Sequence, residues 1–336
     1  MRIAYVCYWN LDVPDGVTKK LHGQVEQWRA RSHEVELFAL RPAGPWERFT
    51  GSGRVASAVR RFSPDLVYLR YDLYLPQIAA LVRRFPTVIE VNSGLRGEMR
   101  RRRPAARVYN ELSLRVLLRA SVGIVCVTRA IADEIGPLRK PVAVIANGID
   151  LERVAATPPP ANARPRLVYV GSTHQPWQGL DKVVRLATAA PEWDFDLVGP
   201  RDTEVPRLPP NAMAHGFLDA AAYAGMLDGA DVGIGPVAMH RNGMDEASNL
   251  KVREYLAHGL PTIIAHTDTD FADSDPWFLL SLPNVERNVD EGVDEIERFV
   301  ERVRGRRVER SEIEHLASRG KEAQRLAFFE DVLGSR

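Results

Sequence analysis

Short runs of consecutive apolar residues recur along the chain, and a segment with helical periodicity separates each run from the next. The runs do not alternate between polar and apolar residues, as strands with one exposed face do. Such runs are typical of parallel strands that helices cover on both faces, so the sequence predicts an α/β fold. In the first half of the chain the predicted strands are Ile3 to Cys7, Val35 to Leu40, Leu66 to Leu69, Val88 to Val91, Gly123 to Val127 and Val142 to Ala146.

A proline-rich segment interrupts this alternation. Residues 157–165, TPPPANARP, contain four prolines and no periodicity, which indicates a linker. The alternation resumes at Leu167 to Val170, so we predict two doubly wound, Rossmann-like units and a terminal helix that can pack back on the first. The predicted boundaries are 1–150 for the first unit, 151–165 for the linker, 166–319 for the second unit and about 320–336 for the helix.

Composition limits the classes of function. The 336 residues are 45% hydrophobic and 26% charged, as in soluble globular proteins, and a formal net charge of +1 gives no global argument for nucleic acid. Cys7 and Cys126 fall in predicted buried strands without ligand spacing, which favours structural thiols in a reducing compartment. No apolar run approaches the roughly 20 residues of a membrane-spanning helix, and no signal-peptide pattern precedes the first strand. These features predict a cytoplasmic protein.

The segment from Met244 to Ala265, MDEASNLKVREYLAHGLPTIIA, predicts a loop, one helix and a short buried strand. Ser248 or Asn249 is the expected N-cap, and Lys251 and Glu254 share one helical face. The residues alone leave two interpretations open. In one, the helix N-terminus and Lys251 bind a phosphate while carboxylates bind hydroxyl groups. In the other, Lys251 and Glu254 form an ion pair on a solvated helix face.

Six segments, taken in their order and spacing, resemble one family of enzymes. They are the loop around Gly16, SHEVELFAL at Ser32 to Leu40, IANGID at Ile145 to Asp150, LVYVGS at Leu167 to Ser172, GFLDAAAYAGMLDGADVGIGP at Gly216 to Pro236, and the segment from Glu246 to Glu254. Nearly end to end, the chain resembles retaining glycosyltransferases of the GT-B fold, in the group 1 family, also called glycosyltransferase family 4.

The resemblance implies two Rossmann-like domains that face each other across a cleft, with the acceptor bound by the first and the donor by the second. It implies a nucleotide diphosphate sugar, such as a UDP- or GDP-sugar, as the donor. The sugar would pass, with retention of configuration, to an acceptor hydroxyl in polysaccharide, glycolipid or other glycoconjugate biosynthesis. No metal or other cofactor would be required.

The family's motifs also imply roles for residues by position. Glu254 would bind the ribose hydroxyls of the donor, and Glu246 would bind its sugar hydroxyls. Gly16 would let the backbone approach the β-phosphate, because a Cβ there would crowd it. With the positions where this chain departs from the family, the predicted donor-binding residues are Gly16, Gly171, Ser172, Gln178, Gly216, Ser248, Asn249, Leu250, Lys251 and Glu254, and the predicted catalytic residues are Glu246, Lys251 and Asn92.

One departure from the family concerns the positive charge that holds the diphosphate. The family usually has an arginine after Gly171 and a lysine before Gly179, where this chain has Ser172 and Gln178 within GSTHQPWQG. A subgroup with a PWxG loop is similar in this respect. The charge must then come from elsewhere, and the candidates in order of preference are Lys251, Arg241 and His174.

Two alternatives follow from this departure and from the fold. The missing cations favour a non-catalytic protein that binds a nucleotide sugar or another transferase, whereas the retained Glu246, Lys251 and Glu254 argue against it. The second alternative is a GT-B sugar-nucleotide 2-epimerase. The sequence offers no convincing pair of acid and base residues for C2 of the donor.

Sequence signals for the acceptor lie in the first domain. The family often has a histidine after the fourth strand, where Asn92 either donates a hydrogen bond to a sugar hydroxyl or caps the next helix. Residues Arg96 to Arg119 contain eight arginines and two glutamates. An apolar stripe within this segment consists of Val108, Leu112, Val116 and Leu117. The segment suggests contact with an anionic membrane or a lipid diphosphate acceptor, and a solvated basic loop is the alternative.

Motifs of other enzyme classes receive no support. Asp268-Thr269-Asp270 has the DXD form that binds metal in glycosyltransferases of another fold, but its place after a strand predicts a polar loop. The sequence contains no HExxH motif, no Cys/His cluster and no Walker lysine, and no GxGxxG follows the first strand. These absences argue against a structural metal, an NTPase and a dinucleotide-dependent oxidoreductase.

Overall fold

The computed structural model of the chain describes residues 1–13, 15–41, 44–72, 74–93, 104–136, 138–205 and 207–335, with the backbone alone at 45 and 104–107. The chain divides into two compact units. The first comprises Met1–Gly148 and Ser318–Arg336, and the second comprises Ile149–Ala317. Within the described ranges, no helix is long and apolar enough to cross a membrane.

The first unit is built on a parallel sheet of six strands. They are β1 (Arg2–Tyr8), β2 (Glu34–Leu40), β3 (Leu66–Arg70), β4 (Thr87–Val91), β5 (Gly123–Cys126) and β6 (Val142–Val144). The helices between them are α1 (Gly16–Arg29), α2 (Pro45–Phe62), α3 (Pro76–Arg84), α4 (Pro104–Ala120) and α5 (Arg129–Ile135). The Asp15 carboxylate caps α1 by accepting a hydrogen bond from the Thr18 amide at 2.8 Å, which fixes the start of the helix.

The second unit contains another parallel sheet of six strands and a separate two-stranded sheet. Its strands are β7 (Arg166–Val170), β8 (Asp194–Val198), β9 (Ala212–Gly216), β10 (Val232–Ile234), β11 (Glu246–Ala247), β12 (Thr262–Ile264), β13 (Thr267–Asp268) and β14 (Leu279–Ser281). Its helices are α6 (Leu180–Ala189), α7 (Ala220–Gly229), α8 (Leu250–Ala257), α9 (Asn288–Glu291) and α10 (Val293–Val303). The predicted α/β alternation is confirmed in both units.

The strand order of each sheet marks one point where the chain reverses its direction across the sheet. The first sheet has the order β2-β1-β3-β4-β5-β6, so the chain moves outward on opposite sides from β1 and β3. The second has the order β14-β12-β10-β7-β8-β9, so its reversal lies between β7 and β10. In doubly wound sheets, ligands bind at the carboxyl ends of the strands at this point. The topology therefore directs attention to the ends of β1 and β3 and of β7 and β10.

The first sheet is buried on both faces, as the predicted continuous apolar runs require. Along β1, Ile3 and Tyr5 pack toward α1, whereas Ala4 and Val6 belong to the core under α2 to α5. Cys7 and Cys126 are both buried free thiols. Burial raises the pKa of each thiol to about 12, so both are unreactive, in agreement with a structural role.

The C-terminal helix α11 (Ser318–Gly334) belongs to the first unit, where it packs beside α1. The ring of Phe329 is fully buried, with its centroid 5.5 Å from that of Trp28 and 5.1 Å from that of Tyr68. The indole of Trp28 also donates a hydrogen bond to the Glu322 carboxylate at 2.8 Å. Aromatic packing and this buried hydrogen bond hold the end of the chain against the first sheet.

Phe329→Ala should destabilise the first unit by about 3–5 kcal/mol, because a fully buried aromatic side chain leaves a cavity when it is removed. Urea unfolding monitored by tryptophan fluorescence would measure the change. Gln324→Ala, at an exposed position of the same helix, is the matched control and should change the free energy of unfolding by less than about 0.5 kcal/mol. A loss below 1 kcal/mol for Phe329→Ala would contradict the docking of α11.

Candidate functional site

Helix α8 is anchored to the last residue of β7. The Tyr255 hydroxyl accepts a hydrogen bond from the Val170 amide at 2.8 Å and donates one to the Ile234 carbonyl at 3.2 Å. The Lys251 ammonium donates to the Val170 carbonyl at 2.6 Å. Val170 and Ile234 end the two strands between which the second sheet reverses. The predicted central helix therefore lies at the ligand-binding edge of its sheet.

The carboxylate of Glu254 is oriented by a neighbouring helix. The Tyr223 hydroxyl, on α7, donates a hydrogen bond to Glu254 Oε2 at 2.8 Å. Burial and then the Glu254 charge raise the pKa of Tyr223, so the phenol stays protonated and remains a donor. A carboxylate fixed in this way is preorganised to accept hydrogen bonds from a vicinal diol.

The charge of Lys251 depends on what binds near it. Burial lowers the pKa of its ammonium group to about 7, although the Glu254 carboxylate acts in the opposite direction. Near neutral pH the lysine is therefore divided between its charged and neutral forms. A negatively charged ligand at this position would raise the pKa and restore the positive charge, and the ammonium has two donors beyond the one that binds Val170.

The loop after β7 is shaped by Gln178. The Gln178 Oε1 atom accepts hydrogen bonds from the Ser172 amide at 2.9 Å and from the Tyr169 hydroxyl at 3.3 Å. A Cβ at Gly171 would lie 2.2 Å from the Tyr169 hydroxyl oxygen and 2.5 Å from Gln178 Oε1, so only glycine fits there. Ser172 and Gln178 therefore build the loop as neutral groups and bring no positive charge to it.

Of the other two candidate cations, Arg241 is already neutralised. Its guanidinium pairs with the Asp181 carboxylate at 2.7 Å and with the Glu286 carboxylate, and it donates to the Pro176 carbonyl at 3.1 Å. The hydrogen bonds that Arg241 donates to these two carboxylates raise its pKa. His174 lies at an exposed position of the same loop. Lys251 is a better candidate than Arg241, because the contacts of Arg241 connect its own segment, residues 239–242, to the loop after β7.

A fully buried arginine, Arg253, anchors the start of α8. Arg253 makes two hydrogen bonds to Asp268, at 2.7 and 2.8 Å, and one to Asp270 at 2.8 Å. It also donates to the Ser248 hydroxyl at 3.1 Å. Burial would raise the pKa of Asp268, but Arg253 outweighs burial and lowers it. The predicted polar loop is wrong in one respect, since Asp268 and Arg253 form a buried ion pair.

The DXD motif thus supports the start of α8 through Arg253. Among the described residues, no group of three or more His, Cys, Asp or Glu side chains could hold a metal ion. Both carboxylates of the motif contact the arginine that positions the helix start. Their role in this geometry is to fix where α8 begins.

The N-cap residue of α8 is one of the two predicted residues, but its side chain does not cap the helix. Asn249 occupies the N-cap position, but its amide contacts His266 Nε2 at 3.0 Å and makes no cap hydrogen bond among the described residues. Ser248 is engaged by Arg253. The first amides of the helix, from Leu250 onward, are therefore not capped by the Asn249 side chain. Such amides can bind an anion.

Two other predicted donor residues occupy strand ends in the second unit. Glu246 lies on β11, paired in register with Thr267 of β13, which fixes its backbone just before α8. Gly216 ends β9 in the left-handed region, with φ of +65°, and the next residue, Phe217, is 89% exposed. The two-stranded sheet and the exposed aromatic ring were not predicted, because two-residue strands and loop exposure leave no periodic signal.

The remaining predicted residues lie in the first unit. Gly16 is the first residue of α1. Asn92 follows β4, and its side-chain oxygen accepts hydrogen bonds from Lys20 at 3.0 Å and Arg70 at 3.3 Å. The helix that Asn92 was predicted to cap, and the arginine run at 100–103, lie outside the described residues.

The apolar stripe in the second half of the basic segment is present on α4, with one correction. Val108, Leu112 and Val116 are 57%, 61% and 42% exposed, whereas Leu117 is buried in the core. Leu117 differs because it lies on the opposite side of the helix, which packs on the sheet.

Comparison with known proteins gives a family match for part of the chain and one fold for the whole. Residues 14–153 match the family Glycosyltransferase Family 4. Sucrose-phosphate synthase from Thermosynechococcus elongatus is 13% identical, with 100% of both chains covered and a TM-score of 0.77. Anabaena HepE, in complex with UDP and glucose, is 14% identical, with 98% of this chain and 99% of that chain covered and a TM-score of 0.65. No curated protein matches the chain in sequence.

A third structure bears on one of the alternatives. A putative UDP-N-acetylglucosamine 2-epimerase from Listeria monocytogenes is 10% identical, with 99% of this chain and 97% of that chain covered and a TM-score of 0.59. The predicted GT-B fold is confirmed by these matches. At such low identities, fold similarity by itself does not separate a transferase from an epimerase.

Asp268→Asn should destabilise the second unit by about 3 kcal/mol, because it leaves the buried Arg253 guanidinium with less compensating charge. Asp275→Asn, at an exposed position nearby, is the control and should have little effect. Both variants and the parent would be unfolded in urea with and without Mn²⁺. Stabilisation of the parent, but not of Asp268→Asn, by Mn²⁺ would contradict the structural role of the DXD motif.

Proposed function

We propose that this protein is a retaining glycosyltransferase. The proposal starts from the match of residues 14–153 to glycosyltransferase family 4 and from the GT-B fold of the chain. Its donor would be a nucleotide diphosphate sugar, with UDP- and GDP-sugars as the first candidates. The observation that carries the proposal is the arrangement of α8, with Glu254 oriented by Tyr223 and Lys251 bound to the end of β7.

The second unit would bind the donor. Glu254 would accept hydrogen bonds from the ribose hydroxyls, and Glu246, before α8, would accept them from the sugar hydroxyls. The amides at the start of α8 would face the diphosphate, where negative charge develops as the bond to the sugar breaks. Gly171 would keep the donor loop in the shape that Tyr169 and Gln178 set, and Phe217 beside Gly216 offers a ring on which a base can stack.

Lys251 would supply the positive charge that Ser172 and Gln178 do not. Its pKa of about 7 would rise beside a diphosphate, so binding would place a full charge next to the leaving group. A lysine that becomes charged on binding stabilises the product diphosphate without leaving an unpaired buried cation in the free protein. This use of Lys251 explains how the family's usual cations can be absent.

The first unit would bind the acceptor. The acceptor hydroxyl would attack the face of the sugar that the diphosphate leaves, and a phosphate oxygen of the leaving group would take the hydroxyl proton. No protein nucleophile and no metal would be required for this step. The protein's contribution would be positioning and charge stabilisation, with Gly16 near the β-phosphate and Asn92 near the acceptor.

The two alternatives predict different outcomes when the protein is given a nucleotide sugar. A 2-epimerase would convert the nucleotide sugar into its 2-epimer without transfer to an acceptor, and a non-catalytic protein would bind the nucleotide without turnover. The hydrogen bond from Tyr223 to Glu254, and a lysine at position 251 whose pKa is near 7, favour a working donor site over a degenerate one. Analysis of the products from a nucleotide sugar would separate the three.

UDP, GDP, ADP, CDP and dTDP should be compared for the rise in unfolding temperature that each produces without added metal. The correct diphosphate should stabilise the second unit by about 2.7 kcal/mol at a hundredfold excess over its dissociation constant. Glu254→Gln should abolish the shift, whereas Glu301→Gln, at an exposed position on α10, should keep it. Glu246→Gln should retain most of the binding and lose turnover. A shift that survives Glu254→Gln, or none with any nucleotide, would refute the donor site.

We further propose that α4 brings the protein to the cytoplasmic surface of an anionic membrane. Val108, Tyr109, Leu112 and Val116 are exposed and lie within an arc of about 100° of the helix. The opposite side of α4 packs on the sheet, so both faces of the helix are apolar. Arg115 and Arg119 are exposed beside the stripe, with Arg115 in an ion pair with Glu111 at 3.0 Å, and their positive charge complements an anionic surface.

Sedimentation with lipid vesicles tests this contact. The parent should bind vesicles that contain phosphatidylglycerol more strongly than vesicles of phosphatidylcholine alone, and salt should weaken the binding. The double variant Leu112→Gln with Val116→Gln should reduce binding roughly tenfold, because two apolar side chains lose their buried area. Val285→Gln, at an exposed valine of the second unit, is the control. Equal binding by the double variant and the parent would exclude α4 as the contact.

A further inference from the structure

Five charged side chains, three of them fully or almost fully buried, form a group in the first unit. Its members are the cations Lys20, Arg70 and Arg325 and the carboxylates Glu90 and Glu322. Glu90 is fully buried on β4, with its Oε1 2.9 Å from Lys20 and 3.7 Å from Arg325, and its Oε2 4.0 Å from Arg70. Glu322 pairs with Arg325 at 2.6 Å.

Among the described residues, this group has one positive charge in excess. Burial would raise the pKa of Glu90, but the three cations outweigh burial and hold it well below its usual range, so Glu90 is charged. Burial raises the pKa of Glu322, which can only increase the excess. Burial, with Arg70 and Arg325 nearby, lowers the pKa of Lys20 to about 8, so Lys20 is still mostly charged at pH 7.

Arg70 is the least compensated member. Toward the described residues its guanidinium makes one hydrogen bond of 3.3 Å, to the neutral side chain of Asn92, and one ion pair at 4.0 Å, to Glu90. Its side chain is 16% exposed, whereas those of Glu90 and Arg325 are fully buried. Lys20 donates to Glu90 and to Asn92, which leaves one donor of its ammonium group. The excess charge therefore lies on the side of the group that a ligand can reach.

The position of the group is that of a ligand site. Arg70 is the last residue of β3, and it pairs in register with Glu90 of β4. Lys20 lies on α1, the helix that follows β1. The carboxyl ends of β1 and β3 are the point where the first sheet reverses, at which doubly wound sheets bind their ligands.

We propose that Arg70 and Lys20, with Asn92 between them, bind an oxyanion carried by the acceptor, a phosphoryl or a carboxylate group. An uncompensated charge in a low-dielectric site is unfavourable until a counter-charge arrives, and a guanidinium presents a planar fork that matches both groups. The inference rests on the proposed transferase, since it specifies the class of acceptor. It makes the acceptor an anionic sugar or an anionic lipid-linked compound rather than a neutral one.

The test measures the unfolding temperature of the full chain in sodium phosphate, sodium acetate and sodium chloride at equal ionic strength. Phosphate or acetate should raise the midpoint by a few degrees over chloride. The larger shift identifies a phosphoryl or a carboxylate group, respectively. No difference from chloride for either anion overturns the proposal.

Three variants locate the binding. Arg70→Gln should weaken the anion's affinity roughly tenfold or more, because a charge-assisted contact is lost, and should leave the midpoint in chloride unchanged or higher. Arg70→Lys should recover part of the affinity. Arg83→Gln, at an exposed position on α3, removes the same charge and should behave as the parent. A midpoint in chloride that falls by several degrees in Arg70→Gln, or a retained anion shift, would show that Arg70 is already compensated.

A variant of the donor site shows whether the anion binds at Arg70 or in the donor site. Glu254→Gln should keep the phosphate shift, and a saturating nucleoside diphosphate should not remove it in the parent. If Glu254→Gln loses the phosphate shift while Arg70→Gln keeps it, the anion occupies the donor site and this inference fails, with the proposed function intact. If no nucleotide binds but the Arg70-dependent shift remains, the transferase proposal fails and the oxyanion site stands.

Discussion

The position of α8 in the second unit depends on hydrogen bonds to the backbone of Val170. One peptide unit at the end of β7 is bound on its amide by Tyr255 and on its carbonyl by Lys251, and both side chains come from one face of α8. Tyr255 also reaches Ile234, so the helix spans the two strands where the sheet reverses. Because buried backbone groups must be hydrogen-bonded, this contact fixes the height and rotation of α8 over the sheet. Glu254 and the start of the helix follow from that placement.

The sequence predicts the elements of this structure better than their contacts. Continuous apolar runs such as Ile3 to Cys7 locate buried parallel strands, because each residue of such a strand faces a helical layer. The cap of α8 shows the limit. Ser248 and Asn249 are typical N-cap residues, but Arg253 and His266 compete for their side chains. Helix-capping propensity describes a residue together with its close neighbours in sequence. Arg253 instead lies inside α8, five residues after Ser248, and His266 lies between β12 and β13, 17 residues after Asn249.

The departure at Ser172 and Gln178 has a physical explanation in the structure. Gln178 accepts a hydrogen bond from the Ser172 amide and from Tyr169, so a charged side chain at 178 would lose two contacts that close the loop. In the proposed donor site Lys251 would supply the positive charge instead. Burial lowers the pKa of Lys251 to about 7 and, in the first unit, that of Lys20 to about 8. Each lies at the point of reversal in its own sheet. In both units a negatively charged ligand would complete a charge balance that the free protein leaves unfinished.

One hydrogen bond connects the helix of the proposed membrane contact, α4, to the strand that carries the proposed oxyanion site. The Tyr71 hydroxyl, directly after Arg70, donates to the Asn110 side chain on α4 at 2.7 Å. The buried side of α4 is thus linked to the end of β3, while its other side presents the exposed stripe of Tyr109 and Leu112. A lipid-linked phosphate would satisfy both features, because its chain could stay in the bilayer under α4 while its phosphoryl group reached Arg70. A soluble anionic sugar would need Arg70 and leave the stripe without a role. The proposed membrane contact and the proposed oxyanion site therefore favour the same acceptor, and a separate experiment would test each.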